Sequence, residues 1–232
     1  MPTILITGSN RGLGLELARQ YVSQGWRVHA TCRHPAEADE LQYLAARESN
    51  LSIHRLDITS AEDIQALGWE LEDSPIDVLF NNAGIYLERD YLGPPASAIR
   101  FEDWLRTLEV NTLGAVRVTE AFLDNVAASR QRLVAVMTSH MGSIADISQP
   151  GSYYYRSSKA ALTSTMRGLA LALEDDGIGV LLLHPGGVRT RMGPSDGITP
   201  AEAVRGIRER IENFTLADTG AFLKYDGSRM PW

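Results

Sequence analysis

A single cysteine, Cys32, stands among 232 residues, so no disulfide can form within the chain. One free thiol suits a reducing compartment, and a cytoplasmic location is expected. Positive charge is also short: 22 Lys and Arg face 29 Asp and Glu, for a net charge of -7. That balance argues against a general binder of nucleic acid or of anionic membranes. Long apolar runs are missing. Stretches such as Val180-Leu181-Leu182-Leu183 are far too short to span a bilayer. Met1-Pro2 runs straight into Thr3-Ile4-Leu5-Ile6-Thr7, without a basic and then apolar leader. No His/Cys cluster has zinc-ligand spacing, so no metal is expected. There is no internal repeat and no linker-like stretch, so residues 1–232 are read as one domain. A hydrophobic content of 44% excludes disorder, and a chain of this length can bury a large core.

Short apolar runs alternate with longer amphipathic ones. Strands are predicted at Thr3–Thr7, Arg27–Cys32, Ser52–Leu56, Val78–Asn81, Leu133–Thr138, Gly179–His184 and Ala221–Tyr225. Helices are predicted at Leu13–Gln24, Pro35–Arg47, Ala61–Leu71, Phe101–Ser129 and Tyr155–Asp175, and Arg205–Glu212 reads as a solvated helix. Strands alternating with helices imply βαβ units: a doubly wound α/β fold of the Rossmann type, with about seven parallel strands and helices on both faces.

Between the first strand and the first helix lies Thr7-Gly8-Ser9-Asn10-Arg11-Gly12-Leu13-Gly14. Ligands of open α/β sheets bind outside the carboxyl ends of the strands, where this turn falls. Gly8 permits a tight reversal, Gly12 leaves room for a pyrophosphate, and Gly14 lets the helix pack close to the sheet. Unpaired N–H groups and the positive end of the dipole at the helix start suit phosphates. The Gly-Lys-Ser/Thr ending of an ATPase P-loop is absent.

Tyr155 and Lys159 are four residues apart, which places them on one helix face. Alone, such a pair reads as an ordinary surface tyrosine and lysine. An ammonium beside a phenol would lower its pKa and fit it to exchange a proton with a carbonyl oxygen. Thr7–Gly14, Asn81-Asn82-Ala83-Gly84, Asn111, Ser139, Tyr155-Arg156-Ser157-Ser158-Lys159 and Pro185-Gly186 occur in this order. With these motifs the chain resembles the short-chain dehydrogenase/reductase family in its classical branch, from Thr3 to about Tyr225. Its length and its Asp226-Gly227-Ser228…Pro231-Trp232 ending resemble the C-factor/sniffer-type carbonyl reductases within it.

The resemblance implies the roles. Tyr155 would be proton donor and base. Lys159 would lower the pKa of Tyr155 and bind the nicotinamide ribose, Ser139 would hydrogen-bond the substrate oxygen, and Asn111 would hold a relay water. Gly8, Asn10, Arg11, Gly12, Leu13, Gly14, Asn82, Ala83 and Gly84 would line the cofactor. Asp57 and Ile58 would meet its adenine, while Pro185, Gly186, Val188 and Thr190 would anchor its carboxamide. Ser139 lies farther from Tyr155 than is usual in the family, which implies a short insertion around 143–151 and leaves Ser143 as an alternative. Ser139 is favoured because it ends an apolar strand. Arg191 stands where many relatives carry an acid.

An acid about 20 residues beyond the glycine turn selects NAD, whereas an arginine accommodates the 2′-phosphate of NADP. Here the second strand ends Cys32-Arg33, and Arg11 adds a second cation. NADP(H) is therefore expected over NAD(H). His140, Met141, Tyr86, Tyr91 and Trp104 are candidates for shaping the pocket, with packing the stronger reading for Trp104. His29, His34 and His54 read as structural or surface groups, and His184 as a strand-end residue. The expected activity is reduction of a ketone or aldehyde, or the reverse oxidation of an alcohol. The resemblance also implies a homodimer or homotetramer joined through the helices that carry Asn111 and Tyr155. The competing reading is an NADP-binding regulatory protein with little turnover.

Overall fold

The computed structural model describes residues 1–88 and 99–232. Tyr91, Gly93-Pro94-Pro95 and most of the expected substrate loop at 86–97 lie outside the described residues. Seven strands form one sheet: β1 (Thr3–Ile6), β2 (Arg27–Cys32), β3 (Leu51–Arg55), β4 (Val78–Asn81), β5 (Leu133–Met137), β6 (Gly179–His184) and β7 (Phe222–Lys224). Their order is β3-β2-β1-β4-β5-β6-β7, and every pairing is parallel. The winding reverses between β1 and β4, so the crevice for a ligand opens at the carboxyl ends of those two strands.

The strands are apolar on both faces because both faces are covered. Ile4, Ile6, Val78, Phe80, Leu133, Ala135, Leu181 and Leu183 point to one core. They meet α1 (Gly12–Ser23), α2 (Asp39–Ala45) and α8 (Pro200–Glu212) through Leu17, Tyr21, Leu41 and Ile207. The alternate residues Leu5, Leu79, Val134, Val136, Val180 and Leu182 point to the other core. There they meet α3 (Ala61–Glu70), α5 (Ala115–Ala121), α6 (Leu123–Ala127) and α7 (Tyr153–Leu173).

Several expected bounds move for identifiable reasons. The predicted helix Phe101–Ser129 is four pieces: α4 (Phe101–Leu108), a π-turn at Glu109–Gly114, then α5 and α6. The helix predicted from Pro35 opens as a 3-10 turn at Pro35–Glu37 before α2. The solvated reading of Arg205–Glu212 is corrected. These residues belong to α8, which starts at Pro200 under a Thr199 side-chain cap to Glu202 N and buries Val204, Gly206, Ile207 and Ile211. Among the described residues, no helix is long and apolar enough to cross a membrane.

Candidate active site

The glycine turn is built by contacts that sequence spacing alone does not reveal. Gly8 and Gly12 have φ values of 70° and 56°, the left-handed region that glycine enters without a Cβ penalty. The Thr7 hydroxyl accepts from the backbone N–H of both Asn82 and Ala83, each at 3.0 Å. Asn82 returns its amide to Thr7 O at 2.9 Å and Gly8 O at 3.1 Å. The loop after β4 is thus stapled to the turn after β1. Gly14 faces this staple rather than the sheet: a Cβ there would fall 2.1 Å from Gly8 O and 2.6 Å from the Asn82 amide. A Cβ on Gly12 would meet only a Thr190 methyl, at 3.8 Å, so that side of the turn is open.

Asn10, Arg11 and Gly12 are exposed at this mouth, with Leu13 half-buried behind them. Arg33 is exposed beyond the end of β2, and Cys32 is buried just before it. Neither Arg11 nor Arg33 is in a salt bridge among the described residues. Asp57 accepts from Thr59 N and Thr59 Oγ1 on one oxygen. Burial raises its pKa, but those bonds together with Arg106 and Arg33 outweigh it and hold the carboxyl below its usual value. Ile58 is buried against Gly114, where a Cβ would clash with it at 2.7 Å. Pro185 and Gly186 (φ 84°) follow β6. Val188 is buried and bridges to Ile198, and the Thr190 hydroxyl accepts from Met192 N. The residues present therefore suit a phosphate-bearing dinucleotide: an open glycine turn at a helix start, with two cations outside ion pairs.

The second half of the site gathers where β4 and β5 end. Asn111 lies in the π-turn, a helix form that often marks functional sites. Its Oδ1 accepts from Ile85 N at 2.8 Å, and its amide donates to Ile85 O and to Ser158. The Thr112 hydroxyl donates to Ser158 O, so the π-turn is fastened to α7. Gly84 sits between Asn111 and Lys159: a Cβ there would be 3.2 Å from Asn111 Oδ1 and 3.6 Å from Lys159 Nζ. Lys159 is buried, donates to Met137 O at 2.8 Å, and lies 5.8 Å from the centre of the Tyr155 ring. Burial lowers its pKa to about 8.

The Tyr155 ring stacks on Tyr86 at 4.4 Å. Burial pushes its phenol up to about 12, against a hydrogen bond with Ser139 that pulls it down, while Tyr86 adds to the rise. Ser139 accepts from Met141 N and heads the 3-10 turn His140–Gly142. Ser143 points elsewhere: its hydroxyl donates to Trp232 O and accepts from Asp146 N. His140 is exposed and meets the buried His184 edge-on at 5.2 Å. Burial, His140 and Lys224 push His184 down to about 3, so it is neutral at ordinary pH. Trp104 donates to Ser157 and stacks on Tyr154, a packing role.

A family model described as short chain dehydrogenase matches residues 2–199. The chain belongs to the short-chain dehydrogenase/reductase family. It is 40% identical over 159 residues to the C-signal protein of Myxococcus xanthus, spanning 68% of this chain and 93% of that one. The carbonyl reductase Sniffer of D. melanogaster superposes with a TM-score of 0.93 at 31% identity, covering all of both chains. The NADPH-bound carbonyl reductase from chicken fatty liver superposes at 0.91 with 32% identity, covering 100% and 99%. Within its family, this short-chain dehydrogenase/reductase is most like the sniffer-type carbonyl reductases.

Reading the sequence missed three contributors to the site. Glu88 and the Ser158 hydroxyl carry no motif signal. Thr7 stood in the motif, but its staple to Asn82 and Ala83 joins positions 75 and 76 residues apart. His29 and His54 also come together: His29 Nδ1 lies 3.0 Å from His54 Nε2, with Ser52 between them and Glu70 on His54 Nδ1. This network joins β2 to the edge strand β3, and His29 and His54 are both buried, in keeping with a structural role. Among the described residues, no group of three His, Cys, Asp or Glu is arranged to hold a metal.

Burying Lys159 links stability to pH. The unfolded lysine titrates near 10.5 and the folded one near 8. Between these values the unfolded chain holds a proton that the folded chain lacks, so this residue's contribution to stability rises with pH. In urea unfolding of the cofactor-free protein, wild type should gain on Lys159→Met as pH rises from 8 towards 10. A constant difference between them would sink the assignment.

Proposed function

We propose that the protein is an NADP(H)-dependent reductase of ketones or aldehydes, able to run in reverse as an alcohol dehydrogenase. One observation carries the reading: Asn111, Ser139, Tyr155 and Lys159 gather at the ends of β4 and β5, and the loop after β4 is stapled to the open glycine turn. When bound, the nicotinamide supplies or accepts the hydride. The chain's own residues do the rest. Ser139 and Tyr155 aim hydroxyls at the carbonyl oxygen, where negative charge grows during reduction, and Tyr155 then gives it a proton. Lys159 holds the ribose hydroxyls and, with its ammonium brought near the phenol, brings the Tyr155 pKa down from its buried value. Asn111 orders the loop through Ile85 and a water leading to Lys159.

The glycine turn from Gly8 to Gly14 holds the pyrophosphate, Asp57 and Ile58 the adenine, and Val188 and Thr190 the carboxamide. Tyr86, His140 and Met141 border the substrate. Both sites belong to one domain. Exposed Phe101 and Leu105 on α4 and Leu113 on the π-turn support a homo-oligomer.

Arg11 and Arg33 support NADP over NAD, since guanidinium groups match phosphate charge and geometry. Arg33→Asp is expected to lower kcat/KM with NADPH at least ~10-fold, the factor that corresponds to about 1.4 kcal/mol, and to improve use of NADH. Equal or better use of NADH by wild type would refute the preference. The main test of the activity is NADPH oxidation across a panel of ketones and aldehydes, run beside a cofactor-binding measurement. Binding without turnover on any of them would favour a regulatory protein, a reading kept open by the likeness to the protein named C-signal.

A further inference from the structure

Helix α7 carries both Tyr155 and Lys159, yet its own start is poorly equipped to hold them. The residue before it, Ser152, is left-handed at φ 53° and caps nothing with its side chain. The first N–H groups of a helix need acceptors from outside it. They find one 67 residues upstream. Glu88 Oε1 accepts from Tyr155 N at 2.8 Å, and the neighbouring Tyr154 N–H also favours the charged carboxylate. Glu88 is 1% exposed. Its Oε2 is buried with no partner among the described residues.

Glu88 also ends the short run that holds the Tyr155 ring. Two residues before it, Tyr86 stacks on that ring and reaches the Ser152 hydroxyl at 2.5 Å. Three before it, Ile85 is bound by Asn111 through both its N–H and its carbonyl. Residues 85–88 therefore touch the backbone of Tyr155, its ring, and the π-turn that faces Lys159.

We propose that Glu88 is a positioning residue for the reduction: as the remote cap of α7, it fixes the backbone of Tyr155 so that the phenol sits between Tyr86 and Ser139. This rests on the reading of Tyr155 as the proton donor. A helix start released from its cap frays within its first turn, and misplacement of a catalytic group by about 1 Å can cost on the order of 100-fold in rate. Cofactor contacts lie mainly on the glycine turn and on Lys159, a full turn further along, so they should be spared. Glutamine keeps the acceptor oxygen and loses only the charge, so it separates the hydrogen bond from electrostatics.

The experiment compares Glu88→Ala and Glu88→Gln with wild type in the full chain saturated with NADPH. It uses the carbonyl compound that wild type turns over fastest. The expected result is a kcat at least ~10-fold lower in Glu88→Ala, with KM for NADPH within about twofold, and recovery of most of that loss in Glu88→Gln. Amide exchange at Tyr154 and Tyr155 should quicken in Glu88→Ala and stay near wild type in Glu88→Gln. A wild-type kcat in Glu88→Ala overturns the proposal, as does Glu88→Gln failing as badly as Glu88→Ala. If Glu88→Ala does not fold, Glu88→Gln decides alone: its exchange and kcat must stay near wild type, and a large change in either overturns the proposal. If wild type reduces no carbonyl compound, the proposed function fails on its own account. Exchange then judges the cap: equal protection in Glu88→Ala and wild type overturns it.

Discussion

Replacing Tyr155 by phenylalanine should cut turnover by about 1,000-fold while leaving NADPH affinity within twofold. The change removes one hydroxyl and keeps the ring that stacks on Tyr86. Positioned proton transfer is worth roughly 100- to 10,000-fold, and loss of a donor to a growing oxyanion costs a comparable factor. Ser139 would remain as a lone donor, which accounts for some residual rate. The melting temperature should stay within about 4 °C of wild type, since the ring keeps its stack on Tyr86 and one hydroxyl is worth about 1 kcal/mol at most. Steady-state rates, a fluorescence titration with NADPH and a melting curve check all three parts. Turnover within tenfold of wild type would remove Tyr155 from the chemistry.

Gly14→Ala should be highly damaging for so small a change. The added Cβ would meet a backbone carbonyl, Gly8 O, at 2.1 Å and the Asn82 amide at 2.6 Å. A backbone atom cannot rotate away as a side chain can. The turn after β1 must shift, and the bonds from Asn82 to Thr7 O and Gly8 O must stretch or break. Overpacking costs about 1–3 kcal/mol, and each buried group left unpaired adds about 1–3. A loss of about 3 kcal/mol, near 6–12 °C in Tm, is expected, with NADPH binding weakened at least ~10-fold because the turn itself has moved. Gly12→Ala is the control. Its Cβ would meet only a Thr190 methyl at ordinary contact distance, so it should lose cofactor affinity with a much smaller fall in Tm, set by the strain of a left-handed alanine. Equal melting temperatures for Gly14→Ala and wild type would refute this account of the turn.

The seven parallel strands and the two-sided burial were legible because apolar runs with this spacing leave few alternatives. The ends were less so. The strand predicted at Ser52–Leu56 runs Leu51–Arg55, and α7 begins at Tyr153 rather than Tyr155. The second shift has a physical cause. The cap comes from Glu88, and local sequence carries no trace of a partner 67 residues away. The π-turn at 109–114 was hidden for a similar reason. One extra residue in a helical turn barely disturbs apolar periodicity, and Asn111 is held there by Ile85 and Ser158 across the fold. The Thr199-Pro200 start of α8 was visible in principle, as a cap followed by proline at the first helical position. The ordered motifs pointed to Asn111, Ser139, Tyr155 and Lys159. They did not show that Lys159 would be bound to Met137 O, or that burial would dominate the Tyr155 phenol.

The same helical turn anchors the chain twice. Glu88 holds Tyr155 N, and on the far side of residues 89–98 the N–H of Arg100 bonds to Tyr154 OH at 2.6 Å. Two clamps on adjacent residues hold that turn from both sides of the segment. Because closure entropy grows only as the logarithm of length, doubling such a connection costs about 0.6 kcal/mol. Natural variation could therefore rewrite the segment in length and composition while the tyrosine stays where it is.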